Sequence, residues 1–232
     1  AWPTWVLSNH DVVRHATRYG FPPGYRFGEG LGREETPDAA LGLARARAAT
    51  LLMLSLPGAA YLYQGEELGL PEVAEIPDAL REDPAHLRAG VPGRDGCRVP
   101  LPWRADAPAY GFSPTGESWL PQPEEFGALA ADAQEGVPGS TLEMYRAAIA
   151  LRREHGLGRS DAPVEFLEDL PEGLLGLVRG EVVVLVNTSE QELPLPDGPG
   201  GLDLADAEVL VGSAEPVPGR LPADAAVWLR RR

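Results

Sequence analysis

The chain opens on a short apolar run that stops abruptly: Trp5, Val6 and Leu7 give way to Ser8, Asn9, His10 and Asp11. A buried parallel strand reads this way when it ends at a ligand-binding face, apolar for packing and polar at its carboxyl end. Taken alone, Asn9-His10-Asp11 fits a catalytic strand end and a plain polar turn equally well, because short motifs recur by chance. Next, Leu41, Ala44, Ala48, Leu51, Leu52 and Ser55 repeat at helical spacing. With Asp38 ahead of them and Pro57-Gly58 behind, they predict a helix over 39–56. Ala59 to Tyr63 predicts a short strand, and Gln64, Glu66 and Glu67 again place polar groups at its end. Strand, loop, helix, strand with polar strand ends is the grammar of a β/α barrel or another α/β layer fold.

A second amphipathic helix is predicted over 141–155, with Leu142, Tyr145, Ile149 and Leu151 inward, Ser140 or Thr141 as N-cap and Glu143 in the first turn. After Gly156 the period changes to that of strands: 164–167, 174–179, 182–187, 192–195, 207–211 and 226–230, with Arg179-Gly180-Glu181 as a tight hairpin connection. No cluster of His, Cys or paired acids marks this tail for chemistry, so it reads as a packing or accessory module. The chain therefore divides into an α/β part, 1–156, and a small antiparallel β domain, 157–232. Two stretches resist assignment. Residues 12–36 form a long irregular segment, expected to wall a site, and prolines break almost any regular element across 70–139.

Composition narrows the function classes. A net charge of −15 disfavours nucleic acid as a partner, since a phosphate backbone calls for a basic footprint. The single cysteine, Cys97, excludes an internal disulfide and multi-cysteine zinc motifs, and fits a cytoplasmic location. No apolar run approaches the roughly 20 residues of a membrane span. The first residues lead almost at once into what looks like an interior strand, as expected of the carboxyl-terminal part of a longer protein.

Other candidates carry less. Gly93-Arg-Asp-Gly-Cys-Arg-Val-Pro-Leu-Pro-Trp103 suggests a rigid loop with a polar tip, although residue types alone favour a structural Arg–Asp ion pair. Glu66 and Glu67 resemble a catalytic pair, but neighbours on a strand point opposite ways. His15, His86 and His155 have no companions at metal-ligand spacing and are expected to be surface or loop histidines. Arg14 and Arg18 are expected to form ion pairs beneath the site, and Cys97 to be unreactive.

Three motifs together resemble an α-glucosidase of the α-amylase superfamily, the group of oligo-1,6-glucosidases and maltases. Val6 to Asp11 is similar to that family's strand-7 end, Gly58 to Leu70 to its strand-8 region, and Gly93 to Trp103 to the loop typical of its α-glucosidase branch. The resemblance covers essentially the whole chain. It implies the last part of a (β/α)8 TIM barrel, strands 7 and 8 with their helices, followed by a small antiparallel β-sandwich domain. It also implies a retaining, exo-acting hydrolase of terminal α-linked glucose. The nucleophile and acid/base of that family sit on strands 4 and 5, ahead of the part represented here. Asp11 would then be the third carboxylate and His10 a second ligand of the same sugar hydroxyls. Arg94, chosen over Arg98, would hold the non-reducing end. No metal or cofactor is implied for this part; the partners are an α-glucosidic oligosaccharide and an upstream barrel segment. A trehalose synthase-like transferring or isomerising relative, and a non-catalytic homologue, remain alternatives.

Overall fold

A computed structural model of the chain describes all residues except 1, 2, 29, 160, 162, 197–203, 205, 206, 216 and 232. In chain order its elements are β1 (Thr4–Val6), α1 (His15–Arg18), α2 (Ala39–Ser55), β2 (Ala59–Tyr61), α3 (Pro84–Ala89), α4 (Ala131–Gln134) and α5 (Thr141–Glu154). The strands β3 (Glu165–Phe166), β4 (Leu174–Arg179), β5 (Val182–Asn187), β6 (Leu193–Pro194), β7 (Glu208–Gly212), β8 (Arg220–Leu221) and β9 (Ala225–Arg230) follow. The chain separates into two compact units. The first joins 1–5, 44–61 and 144–232; the second joins 6–43 and 62–143.

β1 and β2 pair as a two-stranded sheet, and no closed barrel is present among the described residues. Ala1 and Trp2, which lead into β1, lie outside the described residues. The predicted α2 forms, and Ala48, Leu51 and Ser55 of its expected stripe are buried, but other positions differ. Ala46, Ala48, Thr50, Leu51, Met53 and Leu54 are buried, whereas Leu41, Ala44 and Leu52 are only half-buried. A helix covered on several sides needs no single apolar face. In α5 the inward residues are Leu142, Met144, Tyr145 and Ala148, and Ile149 and Leu151 are half-buried. Ser140 is its N-cap, accepting the Glu143 N–H at 3.2 Å, while the Glu143 carboxylate accepts from Gly136 N–H at 2.9 Å.

The tail forms an antiparallel sheet in the order β3-β4-β5-β9-β7, with a two-stranded ribbon of β6 and β8. Arg179 faces Val182 in the register, so Gly180 and Glu181 make a two-residue turn, with Gly180 in the left-handed region at φ 61°. Every residue of β5 is buried. On one face Val183, Leu185, Val227 and Leu229 join a core with Leu174, Leu204 and Leu221. On the other, Leu177, Val184 and Trp228 lie in one cross-strand row, and the Trp228 indole donates to Leu51 O of α2 at 3.1 Å.

The second unit contains the two stretches that defied assignment. Its core gathers Leu68, Leu70, Val73, Ile76, Val99, Leu101, Leu120 and Phe126. The 12–36 segment holds one helical turn, α1, and 70–139 is a series of short helices and 3-10 turns. Prolines start several of these turns. Pro84 lies in the first turn of α3, and Pro108 begins the turn Pro108–Gly111.

Candidate functional site

Asn9, His10 and Asp11 follow β1 as a tight polar turn. The Asn9 side-chain oxygen accepts the Asp11 N–H at 2.8 Å, an Asx-type closure that pins the Asp11 backbone. Asp11 is open, and His10 Nε2 stands 3.4 Å from its Oδ2. Its other oxygen, Oδ1, receives two guanidinium groups: Arg94 Nη1 at 2.7 Å and Arg98 Nη2 at 3.3 Å. Arg98 Nε also donates to His10 O at 2.9 Å. The structure thus brings His10, Asp11 and Arg94 together, and Arg98 with them.

The arginines are aimed by a residue that sequence reasoning passed over. Asp83, fully buried, accepts from Arg94 Nε at 2.6 Å and lies 3.5 Å from Arg98 Nη1. Burial alone would push the Asp83 carboxyl up. The Arg94 side chain and the N–H groups of Ala85 and Arg94 outweigh it and hold the group down at about 2. Asp83 is also the N-cap of α3. An Asp-Pro pair starting a short helix was the available signal, but nothing local says which arginine it meets. Gly93 makes this approach possible: at φ 72°, any Cβ there would stand 2.9 Å from Asp83 Cβ. The expected Arg–Asp pair inside the 93–103 loop is not what forms. Asp95 instead accepts the backbone N–H groups of Glu82 and Asp83, at 2.8 and 3.0 Å, and Arg94 pairs with acids outside the loop.

Beside these groups lies a cavity of about 910 Å³ whose walls include Asp11, Arg94, Phe27, Arg88 and Glu72. Burial pushes Glu72 up to about 7, against the pull of the Arg14 N–H, which it accepts at 2.9 Å. A second buried set lies behind the turn. Ser8 Oγ accepts the His15 N–H and meets His15 Nδ1, both at 2.9 Å. Burial, then Arg18 and Arg14, lower His15 to about 3, so the ring stays neutral at pH 7. Burial also raises Glu66 to about 7, against the opposing pull of the Tyr63 and Ser8 backbone and of Arg14.

Several expectations need correction. His15 is not a surface histidine but 2% exposed, because Ser8, seven residues back, closes on it. The His155 side chain is also largely buried, with its Nδ1 on Glu181 at 2.9 Å. Among the described residues the Arg14 guanidinium forms no ion pair; it donates to Gln64 O and Cys97 O, both at 2.8 Å. Arg18 likewise donates to Val13 O and Leu7 O. Each guanidinium satisfies carbonyls of irregular backbone that no ladder reaches. Glu66 and Glu67 lie in a turn after β2, one buried and one half-buried. Cys97 is buried and pushed up to about 12, which leaves no thiolate. Among the described residues, no group of three His, Cys, Asp or Glu side chains is placed to hold a metal ion.

The arrangement suits a polyhydroxylated ligand. A carboxylate accepts from vicinal hydroxyls, and guanidinium groups fixed beside it donate to their oxygens. The family model described as alpha amylase, catalytic domain, matches residues 1–160. A "Probable alpha-glucosidase" of Rhizobium meliloti is 35% identical over 205 residues, 84% of this chain and 33% of that protein. The oligo-1,6-glucosidase of Parageobacillus thermoglucosidasius is 26% identical over 84% of this chain and 36% of its own length. Among solved structures, an alpha-glucosyl transfer enzyme, XgtA, is 34% identical with a TM-score of 0.71, covering 100% of this chain and 40% of that one. The trehalulose synthase MutB, 23% identical, shares the fold with a TM-score of 0.70 over 99% of this chain and 43% of its own. The chain spans about a third of the length of the curated relatives it matches. Matched over well more than half its length, the chain belongs to the alpha-amylase family, glycoside hydrolase family 13, and is α-glucosidase-like.

Proposed function

We propose that this chain is the substrate-gripping, carboxyl-terminal part of a retaining, exo-acting α-glucosidase. In this reading residues 1–156 carry strands 7 and 8 of a (β/α)8 barrel, and 157–232 form a β-sandwich domain. The nucleophile and acid/base belong to the portion of the relatives that this chain does not span, so residues 1–232 alone have no turnover. Asp11 binds two hydroxyls of the terminal glucose, and His10 contacts the same hydroxyls. These hydrogen bonds strengthen as the ring flattens towards an oxocarbenium ion, which favours the transition state over the ground state. Arg94 and Arg98 orient Asp11 in the free site and donate to the sugar when it enters.

One observation carries the reading: an open carboxylate, Asp11, shares one oxygen between two guanidinium groups while His10 faces the other. The carboxylate is half-exposed beside a cavity, where a ligand can reach it. Hydrolysis of p-nitrophenyl α-glucoside by the full-length protein tests the reading. Asp11→Asn is expected to lower kcat by about 10²–10³-fold, the usual loss for removing one transition-state contact. An unchanged kcat removes Asp11 from this role, and turnover by residues 1–232 alone refutes the division of labour. A second reading, glucosyl transfer, is favoured by the 34% identity to an alpha-glucosyl transfer enzyme. A trisaccharide formed from maltose, with close to one glucose released per maltose cleaved where hydrolysis releases two, would select it.

A further inference from the structure

The turn that carries His10 and Asp11 is held from its buried side as well as from its open one. Arg94 and Arg98 meet Asp11 where solvent does, and in the proposed function they donate to the sugar when it enters. Asp11 then needs a support that the ligand does not recruit. Two clamps supply it, and both close the same stretch of chain.

In the first, Ser8 Oγ accepts the His15 N–H and shares a hydrogen bond with His15 Nδ1, each at 2.9 Å, so one hydroxyl joins residues seven apart. In the second, the Arg18 guanidinium spans the two ends of the turn: Nη1 donates to Val13 O at 2.9 Å and Nη2 to Leu7 O at 2.6 Å. Asn9, His10 and Asp11 lie inside both closures. The Asn9 side chain, accepting the Asp11 N–H, tightens what remains. Ends tied this closely remove most of the conformations that a short polar turn would otherwise sample.

The clamps have a firm base. His15 and Arg18 belong to α1, a single helical turn too short to hold itself. Glu72 fixes it at two points: its carboxyl group accepts the Arg14 N–H at 2.9 Å, and its own N–H donates to Thr17 Oγ1 at 2.7 Å. Gly42 lets the α1 backbone come in so closely that a Cβ there would stand 2.1 Å from Ala16 O. The neutral His15 ring bonds Ser8 without placing a cation under Asp11 to compete with Arg94. Ser8 is buried, so it acts through the turn and not on the sugar. We infer that Ser8 is a positioning residue: through its two bonds to His15 it fixes the turn on which Asp11 meets the substrate, with Arg18 as a second brace. This assignment rests on the role proposed for Asp11 and deepens it.

A double-mutant cycle in the full-length protein tests it, with p-nitrophenyl α-glucoside as substrate. Ser8→Ala is expected to lower kcat by about tenfold or more while KM changes by less than about threefold, because a displaced Asp11 loses contacts made chiefly in the transition state. Combined with Asp11→Asn, the same substitution should lower kcat by less than about twofold, since the carboxylate it positions is gone. A merely structural role predicts that Ser8→Ala lowers kcat by the same factor in both backgrounds, and that result overturns the inference. A loss in Asp11→Asn with none in Ser8→Ala overturns the inference alone. No loss in Asp11→Asn overturns the proposed function and the inference with it. If Ser8→Ala does not fold, His15→Leu enters the same cycle, because it keeps the backbone N–H bond to Ser8 and removes only the bond from the ring. A loss confined to the parent background is again expected; an equal loss in both, or none, again overturns the inference.

Discussion

In the tail sheet, the backbone of Val182–Asn187 pairs residue by residue with Leu174–Arg179 on one side and Ala225–Arg230 on the other. Across 62–143 the carbonyls have no such ladder, and arginines take its place. Arg14 serves Gln64 and Cys97, Arg33 serves Ile76, and Arg81 serves Ala74 and Pro92. Both stretches meet the same demand, that buried backbone be hydrogen-bonded, by different means. The sheet spreads the task over many equivalent groups, whereas the loops concentrate it on a few long cations. Concentration leaves the intervening backbone free to bring Asp83, Arg94 and Arg98 against Asp11, and it makes each arginine harder to replace.

Substitution breaks or sharpens this contrast. Arg14→Met should lower unfolding free energy by roughly 3 kcal/mol or more, because it orphans two carbonyls bonded to a charged donor and strips the stacking from Tyr63. Leu185→Ala, inside the ladder, should cost about 2–5 kcal/mol through cavity formation alone. The contrast lies in the site: urea denaturation should report comparable losses, yet Arg14→Met should also weaken sugar binding, and Leu185→Ala should not. Equal binding by both variants would dissolve the distinction.

A further effect depends on pH. Burial raises Glu66 from 4.5 to about 7, so its favourable contribution is complete below 4.5 and is lost as pH rises through 7. His15, lowered from 6.5 to about 3, works in the opposite sense: its contribution is present above 6.5 and lost as pH falls through 3. Glu66→Gln should therefore gain stability relative to the parent between pH 4.5 and 7.5, by up to roughly 3 kcal/mol at about 1.4 kcal/mol per pKa unit. Urea midpoints at the two pH values check it, and a pH-independent difference would mean that folding leaves the Glu66 pKa unshifted. The smallest effect belongs to the sheet. Gly180→Ala should cost about 1–2 kcal/mol, because its left-handed turn tolerates no Cβ without strain. A thermal melt that did not shift would show that the turn relaxes.

What could be read from the sequence follows the same line. Short apolar runs between turn signals marked β4, β5 and β9, Gly180 marked the β4–β5 turn, and Ser140-Thr141 marked the start of α5, because each signal lies within a few residues of what it specifies. The strand β8 was missed, since Arg220–Leu221 is too short to show a period. Asp83 and the burial of His15 were missed for another reason. Arg94 meets Asp11 across 83 residues of chain, and His15 meets Ser8 across seven with no repeating pattern between them. Loop closures of that kind leave residue types visible but not their partners. That is why motif resemblance could nominate His10, Asp11 and Arg94, while nothing in the sequence put Arg98 on the same Asp11 oxygen as Arg94.

The tether between Arg94 and Asp83 has a consequence for recognition. An arginine that waited free in solvent would lose about 2 kcal/mol of rotamer entropy each time it closed on a ligand. With Nε held by a buried carboxylate and only Nη1 reaching the open one, that freedom is already lost when the chain folds. The exposed arm is screened by salt and the buried arm much less so. Raising ionic strength should therefore loosen Arg94 from Asp11 without unlocking its side chain, leaving a guanidinium that exchanges one oxygen partner for another without a conformational search.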